Sequence, residues 1–261
     1  MNTVISKDGT TIAYDKIGNG QPIILIDGAL CYRSFGPMPK IAPLLAKHFT
    51  VFMYDRRGRG DSTDKKPYSV EREVEDIEAL MNEAGGSAFL LGLSSGAGLA
   101  ICAAEKGLKI KKMALYEPPF VWDKNSGKPA VDHEAALKKI LATGQRGKAV
   151  KYFMVTMVGA PAIAAFIMQL LPMWKKLKAV AHTLPYDSAI MGNWSVPEEK
   201  ISSITIPTLI AGGGKSPATL RNPVELIAKL LPNGTLKVLE GQTHNVSADV
   251  LVPILVEYFS T

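Results

Sequence analysis

Residues 88–98 read AFLLGLSSGAG, and inside them Gly92-Leu93-Ser94-Ser95-Gly96 fits the pattern G-x-S-x-G. An unbroken apolar run precedes the pattern and apolar residues at helical spacing follow it. That order is strand, sharp turn, helix, with a serine at the apex. A turn this tight holds the serine in a strained backbone conformation, and side chains two positions away on either side would collide. Gly92 and Gly96 remove the collision, so Ser94 stands exposed above a sheet with the start of a helix behind it. Ser95 fits worse as a nucleophile, because Leu93 and Ala97 flank it at the same offsets.

The rest of the chain repeats the alternation. Further buried-strand runs are expected at residues 22–27 (PIILID), 49–55 (FTVFMYD), 112–117 (KMALYE), 207–211 (PTLIA) and 235–239 (TLKVL). Their length and apolar content suit strands covered on both faces. Helical spacing is expected at 39–48, 70–84, 95–106, 223–231 and 248–259. Two earlier runs, at 3–6 and 11–15, read as an antiparallel pair turning at Asp8-Gly9. The expected fold class is therefore α/β: a doubly wound, mostly parallel, eight-stranded sheet. From 121 to 199 no strand run occurs. Helices are expected there at 132–143, 147–158, 161–171 and 174–182, rich in Met, Ala and Phe. The expected division is a core of residues 1–120 and 200–261, with 121–199 inserted as a helical cap over the carboxyl end of the sheet, where open α/β folds bind ligands.

Composition excludes some function classes. The chain carries 30 Lys and Arg against 24 Asp and Glu, a formal net charge of +6, but its basic residues are scattered rather than aligned on one face. No basic helix with interleaved aromatics suggests nucleic acid. The start, MNTVIS, lacks the basic and apolar regions of a secretory leader. The most apolar stretch, 160–171, is too short to cross a bilayer and runs into Lys175, Lys176 and Lys178. A soluble cytoplasmic protein without membrane or nucleic-acid partners is expected, a monomer or homodimer acting on a small molecule. Cys31 and Cys102 sit in different expected elements, without metal-ligand spacing, and free thiols are expected.

With G-x-S-x-G at 92–96, Asp55-Arg56-Arg57-Gly58-Arg59-Gly60-Asp61-Ser62 after the fourth expected strand, and Gly-Gln-Thr-His at 241–244, the chain resembles the α/β-hydrolase superfamily over nearly its whole length. The resemblance implies that Ser94 is the nucleophile and that the Asp55–Ser62 segment is a structural turn whose Arg anchors a loop. It implies an oxyanion hole from the amides of Ala29, in Asp27-Gly28-Ala29, and Ser95. Asp27 stands where relatives usually carry His, and could hold the loop or disfavour an oxyanion. His244 is the expected base, since the chain order is Ser, acid, His. His48, His133 and His182 lie at or inside helical segments and fit less well. The acid usually follows the seventh strand, but residues 212–217 read GGGKSP without a carboxylate. Glu117, ending the sixth strand, is the acid expected in its place, as in some relatives; the alternative is a Ser-His dyad.

These residues imply acyl transfer with no metal or organic cofactor. Phe153, Met157, Phe166, Met173 and Trp174 are expected to wall an apolar pocket suited to a small or medium ester or lactone. In the superfamily the chain resembles, the same Ser-His machinery also serves haloperoxidase-like perhydrolases, C–C hydrolases and some lyases, and the fold alone also serves non-catalytic ligand receptors.

Overall fold

The computed structural model describes residues 1–121 and 130–261. Residues 122–129 of the expected insertion lie outside the described residues. Eight strands form one sheet: β1 (Asn2–Ile5), β2 (Thr11–Ile17), β3 (Pro22–Ile26), β4 (Thr50–Tyr54), β5 (Ala88–Leu93), β6 (Ile110–Tyr116), β7 (Thr208–Gly213) and β8 (Gly234–Leu239). Their order across the sheet is β1-β2-β4-β3-β5-β6-β7-β8. β1 pairs antiparallel with β2, and β2 with β4. Every other pairing is parallel.

Strand alternation divides the core between the two faces of the sheet. On β3, Ile24 and Ile26 face a core shared with α2 (Val70–Glu83), α3 (Ser95–Glu105) and α10 (Ala218–Leu230). Ile23 and Leu25 face the opposite core, with α1 (Met38–Leu45) and α11 (Ala248–Ser260). Both faces of the central strands are thus covered, which is why those strands read as continuous apolar runs. β8 departs from that expectation. It is the edge strand, and Leu236 and Val238 stand 42% and 45% exposed. Having one sheet neighbour only, it needs no second cover.

Between β6 and β7 lie α4 (His133–Ala142), α5 (Arg146–Tyr152), a π-helical turn (Phe153–Met157), α6 (Ala162–Met168), α7 (Met173–Val180), a short 3-10 turn (Ala181–Thr183), α8 (Leu184–Met191) and α9 (Glu198–Ser203). The first four correspond to the expected helices, though α5 gives way to the π turn where a single helix to 158 is expected. Helices α8 and α9 are additional. α8 carries Ile190 and Met191 into the α2–α3 core, so it ties the inserted helices to the sheet. A third apolar cluster, around Leu137, Val150, Leu177 and Leu184, joins the inserted helices to Leu30 in the loop after β3. Cys31 and Cys102 are free thiols. No helix among the described residues is long and apolar enough to cross a membrane.

Candidate active site

The turn at Ser94 has the strain anticipated from its glycines. Ser94 has φ 55° and ψ −127°, a region that L-residues adopt only when the surroundings hold them there, at a cost of about 1–3 kcal/mol. A Cβ on Gly96 would lie 2.2 Å from the Ile26 carbonyl oxygen, and one on Gly92 would lie 2.6 Å from the Gly96 carbonyl oxygen. The Ser94 amide donates to the Tyr116 carbonyl at 2.9 Å, which fixes the turn to the end of β6.

Three side chains from three strand ends meet here. His244 follows β8; its Nε2 lies 3.2 Å from Ser94 Oγ. Its Nδ1 lies 2.7 Å from Glu117 Oε2. Glu117 follows β6 and is fully buried. It has φ 44°, so the chain turns sharply as it leaves the strand. Burial alone would raise the Glu117 pKa, but the hydrogen bonds from His244 and from the Gly213 amide outweigh it and hold the carboxyl below its ordinary value. An ionised Glu117 accepts from Nδ1–H, which leaves Nε2 free to accept from the serine hydroxyl.

The glycine run after β7 explains how an acid on β6 can serve His244. Gly213 donates its amide to Glu117 Oε1 at 2.7 Å. A Cβ on Gly212 would approach that same oxygen to 3.4 Å, and one on Gly213 would overlap the Gln242 carbonyl at 2.5 Å. Where a carboxylate is absent from this loop, its backbone makes room for the Glu117 carboxylate and donates to it. Tyr116 Oη donates to the Thr243 carbonyl at 2.6 Å and so restrains the residue before His244.

The loop after β3 lies against the same turn. A Cβ on Gly28 would sit 3.0 Å from Ser94 Cβ. Among the described residues, the Ala29 amide has no backbone partner, and Ser95 is the first residue of α3, where an amide has no acceptor within the helix. Two free N–H groups beside a serine suit a developing negative charge. The Ser95 hydroxyl is turned away from this duty. It is buried and donates to Asp187 Oδ1 at 2.8 Å.

Asp27 is 4% exposed and accepts the Gly28 amide on Oδ1 at 2.9 Å. Of its two anticipated effects, loop support is the one visible in the geometry. Burial pushes its pKa up to about 7 against the pull of the Gly28 amide and of Arg59 and Arg56. The folded protein therefore keeps this proton to near neutrality while the unfolded chain releases it near 3.8. Stability from this group is complete below about pH 4 and is lost as pH rises towards 7, a difference of up to about 4 kcal/mol. Asp27→Asn, which copies the neutral form and keeps the acceptor for Gly28, is expected to exceed wild type in stability at pH 8, and by clearly more there than at pH 5, where only part of the difference has developed. Urea unfolding at the two pH values checks this; equal midpoints at pH 8 would contradict it.

The arginine-rich turn after β4 is buried. Arg56, Arg57 and Arg59 are at most 1% exposed. Arg57 pairs with Asp76, at 2.7 and 2.8 Å. Arg56 forks onto Glu73 at 2.7 Å and reaches Asp187 at 2.7 Å. Arg59 also reaches Asp187, at 2.7 Å, and donates to the Gly28 carbonyl at 2.6 Å. The expected role as loop anchor thus has partners that sequence spacing does not reveal. Asp187, on α8, was not singled out in the sequence. The available signal was a lone carboxylate in the apolar segment LPYDSAI, together with three cations in one turn that burial obliges to pair.

Of the expected pocket residues, Phe153, Met157, Met173 and Trp174 are half-buried in the third apolar cluster, which also includes Ala29, Tyr32 and Phe35. Phe166 does not join them. It is 57% exposed and lines a surface groove with Trp174, Arg146, Lys148 and Lys178. α6 is a short helix that buries little besides Ala165, so its apolar residues face outward. No group of three or more metal-ligating side chains occurs among the described residues.

Residues 18–252 match the model of the alpha/beta hydrolase family. The chain belongs to the α/β-hydrolase family, and it is an enzyme of the hydrolase type. A solved alpha/beta hydrolase from Sphaerobacter thermophilus is 48% identical, with 99% of this chain and 100% of that one covered and a TM-score of 0.91. A Synechocystis protein provisionally named a non-heme chloroperoxidase is 26% identical over 95% of this chain and 94% of its own. A meta-cleavage product hydrolase from Pseudomonas fluorescens is 19% identical, covering 100% of this chain and 97% of that one, with a TM-score of 0.71; it shares the fold.

Proposed function

We propose that the chain is a serine hydrolase that cleaves a small or medium, largely apolar carboxylic ester or lactone through an acyl-enzyme. One observation carries the reading: His244 lies between Ser94 Oγ at 3.2 Å and Glu117 Oε2 at 2.7 Å. A serine, an imidazole and a carboxylate in that order form the machinery of nucleophilic acyl transfer.

In this mechanism His244 Nε2 takes the Ser94 proton as the oxygen attacks the substrate carbonyl. Glu117 holds the Nδ1–H tautomer and stabilises the imidazolium that forms. The Ala29 and Ser95 amides receive the oxyanion of the tetrahedral intermediate. The imidazolium then protonates the leaving alcohol, leaving an acyl group on Ser94. Water, deprotonated by His244, attacks that ester and releases the acid. Phe153, Met157, Met173 and Trp174 supply the apolar wall that selects the acyl group; Phe166, facing outward, takes no part in it.

A panel of p-nitrophenyl esters from acetyl to octanoyl, with lactones and a peroxide-dependent halogenation assay alongside, tests the reading. Turnover of esters or lactones is expected, strongest for the short and medium members. Halogenation without turnover of any ester or lactone, or no turnover at all, would overturn it.

A further inference from the structure

Resting on the acyl-transfer reading above, we propose that Asp187, on helix α8 of the inserted segment, is a positioning residue that ties together the two halves of the oxyanion hole. The two free amides come from distant parts of the chain, Ala29 after β3 and Ser95 at the start of α3. The loop after β3 packs on the Ser94 turn, but among the described residues no hydrogen bond joins Ala29 to Ser95. Asp187 links them through hydrogen bonds. Its Oδ1 accepts from the Ser95 hydroxyl at 2.8 Å, and both its oxygens accept from Arg59 Nη2, at 2.9 and 2.7 Å. Arg59 Nη1 in turn donates to the Gly28 carbonyl at 2.6 Å.

That last bond matters because of the peptide plane. The Gly28 carbonyl and the Ala29 N–H belong to one trans peptide unit and point in opposite directions. A guanidinium holding the carbonyl on one side therefore directs the N–H to the other. It also polarises the amide, which strengthens the N–H as a donor. On the second arm, the hydroxyl bond to Asp187 fixes the residue whose amide completes the hole. A loop clamp alone would need one arginine and one acceptor. Here one buried carboxylate takes Arg56, Arg59 and Ser95 together, and two of those three lead to the oxyanion donors. Burial acts to raise the Asp187 pKa, but Arg59, Arg56 and the Ser95 hydroxyl outweigh it and keep the group charged. Because α8 comes from the insertion, the helices that cover the pocket also set the geometry of catalysis.

The test compares wild type with Asp187→Asn and Ser95→Ala, using p-nitrophenyl acetate and a phenylboronic acid that mimics the tetrahedral oxyanion. Asp187→Asn is expected to lower kcat by about 10- to 100-fold, short of the 10²- to 10³-fold effect of deleting a donor outright, with KM within twofold. Ser95→Ala keeps the amide and removes only the hydroxyl bond, and a fall of about three- to tenfold is expected. Boronate affinity should fall in step with kcat in both variants, which a purely structural role would not produce. Should Asp187→Asn fail to fold, Ser95→Ala decides the matter. Wild-type kcat and boronate affinity in folded Asp187→Asn, or in Ser95→Ala, would overturn the proposal. Absence of ester turnover and of Ser94 labelling by a fluorophosphonate in wild type would instead overturn the acyl-transfer reading.

Discussion

Ser94→Ala is expected to lower kcat/KM for p-nitrophenyl esters by about 10⁵- to 10⁶-fold while leaving the fold intact. The loss follows from the position of Oγ. It is the atom His244 Nε2 can deprotonate, at 3.2 Å, and the Ser95 hydroxyl is already committed to Asp187 at 2.8 Å. No second hydroxyl can replace it. The strained turn also makes the folding prediction specific. Alanine keeps the Cβ that the backbone at φ 55° already accommodates, so thermal stability should stay within about 1 kcal/mol of wild type. Esterase rates together with thermal unfolding check both parts. A variant retaining more than about a hundredth of wild-type kcat/KM would place the nucleophile elsewhere.

The second large effect concerns the acid. Glu117→Gln is expected to lower kcat by about 10³- to 10⁴-fold with little change in KM. Gly213 fixes the direction of the substituted group. Its amide donates to Oε1 at 2.7 Å, so the glutamine oxygen takes that place and its NH₂ faces His244. Nδ1 must then be the unprotonated nitrogen, and the proton moves to Nε2, where it blocks acceptance from Ser94. The wrong tautomer, rather than a lost contact, causes the defect. The Glu117 carboxyl is held below its ordinary pKa by its hydrogen bonds, so the group that Gln replaces is an ionised acceptor at neutral pH. Measurement of kcat and KM for Glu117→Gln and Glu117→Ala checks the account; near-normal kcat in both would leave a Ser-His dyad.

Legibility in the sequence followed the range of the interactions involved. The sheet was readable because each central strand is covered on both faces, so runs such as PIILI and AFLLGL stay apolar at every position. The elbow was readable because steric demands at positions 92, 94 and 96 are local. Failures arose where local rules compete with tertiary context. Helix α10 begins at Ala218 and carries Pro223 within it, whereas proline prefers the first turn, and a start at 223 was the natural expectation. The apolar run of β8 implied burial on both faces, yet an edge strand can leave Leu236 and Val238 in solvent. The support of the candidate site was least legible. Arg56 and Arg59 meet Asp187 across 131 and 128 positions, and no periodicity encodes such a pairing. Likewise the glycines at 212 and 213 read as the absence of an acid. Their contribution, space and an amide for Glu117, becomes visible only when β6 and β7 lie side by side.

The proposed mechanism requires Ser94 to be an activated nucleophile. Incubating the folded wild-type protein with a fluorophosphonate and mapping the adduct by mass spectrometry tests it most directly. A single stoichiometric adduct on Ser94 is expected, greatly slowed in His244→Ala and absent in Ser94→Ala. No adduct on the folded wild-type protein, or an adduct on another residue that persists in Ser94→Ala, would contradict it.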